Sequence, residues 1–156
     1  MRRVDSRERL IRDVFAAWSS GDADASQPFF TPGAVLTDVA SGRFEGWPAI
    51  RAFFATGLAR WRDLVLAPDE MWFNDGGVAL HYEMSATITD PAMYGPDLVG
   101  RRWVVDVMSY VRVRDGLVVF EADHHDRGAR ARSLGLEPWV GAPPQPDPLL
   151  HAGGGQ

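Results

Sequence analysis

Glu121, Asp123 and His125 occupy the last three alternate positions of the segment Leu117 to His125. In an extended strand, residues two apart project to the same side and sit about 6.6 Å from one another. The spacing therefore predicts two carboxyls and an imidazole in one row. A carboxyl crowded by apolar neighbours loses hydration, its pKa climbs toward neutrality, and it becomes a usable acid or base at pH 7. One carboxylate poised as a base beside another proton-bearing group can move a proton next to a carbonyl or open an epoxide. Asp123 and His125 are thus catalytic candidates, joined by Asp38, the one ionisable residue of the segment Ala34 to Val39. Tyr82 and Ser109 are substrate-binding candidates, because their hydroxyls can polarise a substrate oxygen. Trp103, Met84 and Glu121 complete the expected lining. The competing reading of the row is the solvated face of an edge strand, and Asp38 could equally be a turn residue. Asp123-His124-His125-Asp126 also spells a metal-ligand set, but ligands must converge and adjacent strand residues diverge, so no metal is expected. His124 is expected on the helix-packed face and His81 at the surface.

The elements that must position these groups follow from periodicity. Leu10, Ile11, Val14, Phe15 and Trp18 fall at helical spacing between a capping-box-like Asp5-Ser6-Arg7-Glu8 and Gly21. A second short helix is expected from Asp22 to the Thr31-Pro32-Gly33 breaker, followed by the strand Ala34 to Val39 and a turn at Ser41-Gly42. Pro48 opens a helix whose face is Ile50, Phe53, Phe54, Leu58 and Trp61. The period then changes from 3.6 to 2. Strands are expected at Leu64 to Phe73, Val78 to Ile88, Arg101 to Arg114 and Leu117 to His125. Asn74-Asp75-Gly76-Gly77 and Asp115-Gly116 form the hairpin turns, and a loop carries Pro91 to Gly100. On the alternation, Leu117 and Val119 share a face with Glu121. Val78, Leu80, Tyr82, Met84 and Ala86 make an apolar face, and Trp103 to Val113 another that is polar only at Ser109. Helices first and an antiparallel meander afterwards define an α+β domain over residues 1–137. Residues 138–156, with five of the 11 prolines and Gly153-Gly154-Gly155, read as a flexible tail apart from a contact through Trp139.

Composition narrows the chemistry. All 16 basic residues are arginine, so lysine Schiff bases, lysine general bases and phosphate-loop lysines are excluded. The absence of cysteine removes disulfides, thiolate nucleophiles and thiolate metal sites. A net charge of −5 with scattered arginines disfavours nucleic acid as a partner. No signal-like segment or apolar run of spanning length is present, so a cytoplasmic protein without membrane partners is expected.

Several stretches carry a resemblance: Trp18-Ser19-Ser20-Gly21-Asp22, Phe29 to Val35 through Thr31-Pro32-Gly33, Phe44-Glu45-Gly46-Trp47-Pro48 on to Phe54, Val111 to Val119 around Asp115-Gly116, and the closing Asp126 to Leu136. Together they resemble the nuclear-transport-factor-2-like superfamily, in its SnoaL-like polyketide-cyclase and ketosteroid-isomerase branch, over about residues 6–137. The resemblance implies a cone-shaped fold, with a curved, mostly antiparallel sheet wrapped around N-terminal helices, and a homodimer. It implies a cofactor-independent cyclase, isomerase or lyase acting on an aromatic, polycyclic or polyketide-like small molecule in bacterial secondary metabolism. Asp38 falls where ketosteroid isomerases keep their base, while Ser109 stands where their oxyanion-hole aspartate would be and no tyrosine lies near Trp18. Asp123 matches the last-strand aspartate of the epoxide hydrolases of this fold, whose arginine and second aspartate are replaced by Tyr82 and Met84. For the acid or base of the polyketide cyclases, Asp123 and Asp126 compete. Epoxide opening and non-catalytic ligand binding are the alternative functions in the same pocket, since this fold hosts many activities.

Overall fold

Asp5 caps the first helix, its side chain accepting the Arg7 backbone N–H at 2.9 Å. The helix α1 (Ser6–Ser19) buries Leu10, Ile11, Val14, Phe15 and Trp18 as one stripe. Glu8 turns outward to Arg12 instead of closing a capping box. These and the following elements belong to a computed structural model describing residues 5–137; the expected tail and its Trp139 contact lie outside the described residues.

The second helix expected after Gly21 does not form. Asp22 accepts the Asp24 N–H at 2.9 Å in a side-chain turn, and only a single 3-10 turn, Gln27–Phe29, follows. Side-chain turns compete with helix, and the segment is too short to sustain one. Strand β1 (Phe30–Asp38) therefore starts earlier than expected and is followed by a short strand β2 (Gly42–Glu45) that the sequence suggested only as a turn. Helix α2 (Trp47–Arg60) has Pro48 in its first turn and buries Trp47, Ile50 and Phe54. Trp61 is not on its face but opens strand β3 (Trp61–Asn74).

Strands β4 (Gly77–Ile88), β5 (Arg102–Arg114) and β6 (Leu117–His125) complete the expected meander. The β5–β6 turn has positive φ at both Asp115 (52°) and Gly116 (75°), the geometry that follows the twist of a two-residue hairpin. The loop after β4 contains a short helix α3 (Pro91–Tyr94) and a 3-10 turn. One further helix was not anticipated: α4 (Arg127–Ser133), capped by Asp126, which accepts the Gly128 N–H at 2.7 Å. Its role is visible at β5. Pairing with β6 ends at Val107 opposite His125, and beyond it the Val104 N–H finds the Ser133 hydroxyl at 3.0 Å.

The six strands form one sheet in the order β2-β1-β6-β5-β4-β3. All neighbours are antiparallel except β1 and β6, which run parallel with Asp38 opposite Asp123. Helices α1 and α2 cover the inward face, where Leu80, Tyr82, Met84, Val105, Val107 and Val111 join the core. A bulge in β6 alters the expected alternation there. Val118 pairs with Val113 and Phe120 with Arg112, so Val119 is extra, and Val118, not Leu117 or Val119, shares the inward face with Glu121. His124 is exposed on the opposite face, away from the helices. His81 lies beside Asp69 at 2.7 Å, near the surface as expected. Among the described residues no helix is long and apolar enough to cross a membrane.

Candidate active site

Because β1 and β6 run parallel, their C-terminal ends finish side by side, bringing the last residue of each strand together. His125 Nε2 and Asp38 Oδ2 are 3.0 Å apart, and their side chains are only 6% and 8% exposed. Both line a cavity of about 390 Å³, within the range of small-molecule sites. Trp18, Phe53, Trp61, Met84 and Tyr94 form apolar parts of its wall, and Arg60, Arg127 and Arg130 are its cations.

Burial alone would raise the Asp38 carboxyl. The hydrogen bond and charge of His125, with help from Ser41 and the Ala40 N–H, outweigh it and hold the carboxyl below its ordinary range. When the imidazole is neutral, an ionised Asp38 fixes its hydrogen on Nε2 and leaves the lone pair at Nδ1. That nitrogen is buried and has no partner among the described residues.

Asp123, Glu121, Ser109, Tyr82 and Trp103 were expected to gather around the same cavity, but none of them lines it. They are buried behind its wall, in the core between the sheet and the helices. Ser109 stands opposite Asp123 across β5 and β6 and donates a short hydrogen bond to its carboxyl, and the Ser109 and Tyr82 hydroxyls are 3.3 Å apart. Tyr82 also packs against Phe15 at 4.7 Å. Burial pushes the Asp123 carboxyl up to about 7 despite the Ser109 bond, and the charge of Asp38 pushes in the same direction. Burial and the charge of Asp123 raise Glu121 well above the usual carboxylate range, and burial with the charges of Asp123 and Glu121 raises the Tyr82 hydroxyl well above its ordinary value. Burial thus favours the protonated form of each of these groups. Met84 is the one expected wall residue that reaches the cavity. Trp103 stacks edge-on to the wall residue Trp61, with centroids 5.3 Å apart at 74°.

Asp126 does not enter the site: it is exposed, caps α4 and pairs with Arg132 at 2.9 Å. His124 and His125 point to opposite faces and cannot share an ion. The sequence reading missed Arg130, which is buried in the wall with its Nε donating to the Tyr94 hydroxyl at 3.0 Å. A signal existed, since Arg130 lies one helical turn before the buried Leu134 and so falls on the inward stripe of α4.

Residues 11–121 match the family model described as SnoaL-like domain. The chain belongs to the SnoaL-like family. No curated protein matches it. This SnoaL-like domain is similar to a protein of ketosteroid isomerase-like fold from Catenulispora acidiphila, solved in complex with trimethylamine. The two share 16% identity, over 85% of this chain and 97% of the other, with a TM-score of 0.71. It is similar to IdmH, a candidate polyketide cyclase from Streptomyces antibioticus, at 21% identity over 85% and 100% of the two chains with a TM-score of 0.71. It is also similar to TerC, co-crystallised with polyporic acid, at 17% identity over 84% and 99% of the chains with a TM-score of 0.68. At these identities the likeness is one of fold: the SnoaL-like chain has the α+β, ketosteroid isomerase-like architecture that its sequence motifs implied. The matched stretch contains Asp38, Tyr82 and Ser109 and stops at Glu121, short of Asp123 and His125.

Proposed function

We propose that the protein is an acid–base enzyme, a cyclase, isomerase or lyase, acting on an aromatic or polyketide-like small molecule held in the cavity of about 390 Å³. The observation that carries this reading is the buried Asp38–His125 pair at 3.0 Å on the cavity wall. In it, the Asp38–His125 pair takes a proton from carbon next to a substrate carbonyl, leaving an enolate. Asp38 fixes the ring and balances the charge that His125 acquires. Asp123 and the hydroxyls of Ser109 and Tyr82 tune that pair from behind, because the Asp123 carboxyl feels the charges of both Asp38 and His125. The apolar wall supports an aromatic substrate, as do the ligands of similar structures, trimethylamine and polyporic acid, for small-molecule binding in general. Exposed Val65, Trp72, Val104 and Met108 support the homodimer.

The test is exchange of the α-protons of 2-tetralone in deuterated water, followed by NMR. Wild type should accelerate exchange, and Asp38→Asn and His125→Gln should each lower the rate by about a hundredfold or more. Wild-type rates in both variants would refute the assignment.

A further inference from the structure

Arg130 is unlike the other arginines whose ion pairs the structure defines. Arg7, Arg12, Arg43, Arg51, Arg62 and Arg132 each have a carboxylate oxygen within 3.5 Å, and all of them are more exposed than Arg130. Arg130 is 7% exposed, yet no Asp or Glu oxygen among the described residues lies within 4.0 Å of it. What surrounds it is neutral: the Tyr94 hydroxyl on Nε, and the rings of Trp103 and Tyr94 at 5.3 and 6.0 Å from the guanidinium carbon. Aromatic faces attract a cation without neutralising it, and buried charges are as a rule paired.

The two carboxylates that share the cavity with Arg130 are otherwise engaged. Asp38 is bound to His125, and Asp90 accepts the Ala92 N–H at 2.9 Å as the cap of α3. The guanidinium is thus held by one bond at Nε, with the rest of its planar fork uncommitted to any acid, on the wall of a cavity lined by aromatic rings.

We infer that Arg130 is a substrate-recognition residue, and that the cavity takes an aromatic carboxylate whose anionic group forms the missing ion pair with the Arg130 fork. A planar carboxylate matches the fork in two parallel bonds, which a neutral amide of the same shape does not. The inference also orients the ligand. Its carboxylate is drawn to Arg130 and repelled by the ionised Asp38, so the end of the ring system away from the acid is the one turned toward His125. This inference rests on the cavity being the substrate site, as proposed above.

The experiment is calorimetric titration of the full chain with 2-naphthoate and with its neutral analogue 2-naphthamide. Wild type should bind naphthoate at least about tenfold more tightly than naphthamide, the scale of one charge-assisted pair. Arg130→Gln should remove most of that preference by weakening naphthoate far more than naphthamide, the remainder resting on Arg60 and Arg127. Arg130→Lys, which keeps the charge but not the fork, should recover part of it. Tyr94→Phe, which removes the bond that aims the guanidinium, should reduce it without removing the charge. Should Arg130→Gln fail to fold by circular dichroism, the lysine and Tyr94→Phe variants carry the test, and an unchanged preference in both overturns the inference. Equal binding of the two probes to wild type overturns it too while leaving the cavity as a binding site. Binding of neither probe refutes the cavity reading, and the Arg130 inference falls with it.

Discussion

Asp38 and Asp123 stand opposite one another in the parallel β1–β6 pair, and their carboxyls are displaced in opposite directions. Asp38 is held low: burial opposes ionisation, but the His125 bond and charge outweigh it. Asp123, raised to about 7 chiefly by burial, bears its proton through most of the acid range. Two carboxyls whose environments separate their titrations can take different parts in one proton transfer.

This separation predicts how stability varies with pH. Between its ordinary value of 3.8 and about 7, Asp123 binds a proton more tightly in the folded chain than in the unfolded one. Stability therefore falls as pH rises through that window, and the cost persists above it. Asp38 has the reverse sign: its contribution is present above the ordinary carboxylate range and is lost as acid protonates it. Calorimetry should show the melting temperature of wild type declining from pH 5 to pH 8. Asp123→Asn should flatten the decline, and adding Glu121→Gln should flatten it further, because burial raises Glu121 as well. An undiminished slope in the double variant would contradict this.

Ser109 joins Asp123 to Tyr82, so its removal should cost more than removal of either neighbour's contact alone. Ser109→Ala leaves a buried carboxyl without its donor and is expected to cost about 1–3 kcal/mol; Tyr82→Phe, which loses one hydroxyl at the edge of the cluster, about 1 kcal/mol. Urea unfolding at pH 8 gives both values, and the reverse ranking would mean that the tyrosine hydroxyl, not the serine, anchors the cluster.

Gly77 sits where a side chain has no room. A Cβ there would stand 2.2 Å from the Val111 carbonyl oxygen, a backbone atom of the paired strand, whereas at Gly76 the nearest atom would be the Tyr110 hydroxyl at 3.4 Å. Gly77→Ala should therefore destabilise by about 3 kcal/mol or more, and Gly76→Ala by far less. Thermal melting of the two variants side by side decides it.

The outer face of the sheet carries Trp72 and Met108 at 48% and 45% exposure. If that face joins two copies, Trp72→Arg combined with Met108→Glu should yield monomers in sedimentation velocity while the fold, read by circular dichroism, is retained. A wild-type chain that already sediments as a monomer at micromolar concentration would dispose of the homodimer.

The α1 stripe from Leu10 to Trp18, the Pro48 helix and the period-2 strands from β3 to β6 were legible because each is repetitive and local. What was not legible depended on distant partners. The parallel docking of β1 on β6 decides that Asp38 meets His125, and nothing in either segment states its neighbour. Strand alternation correctly turned Glu121, Asp123 and His125 inward but could not say how deep each would lie, so Asp123 and Ser109 were expected on the cavity and are behind it. The bulge at Val119 is invisible to a strict period of two. Helix α4, with two arginines in its last turn, has little apolar pattern to mark it or Arg130.

Asp38 and His125 are separated by 87 positions, and β6 is the strand that unites them. The acid–base pair is consequently a matter of timing as well as geometry. During synthesis, every chain not yet extended through His125 has a carboxylate at the end of β1 without its imidazole. It also has two bare strand edges, on β1 and β5, where β6 will later insert. Such unfinished copies can pair edge to edge with one another, and closure of the sheet and assembly of the Asp38–His125 pair both wait on the same strand.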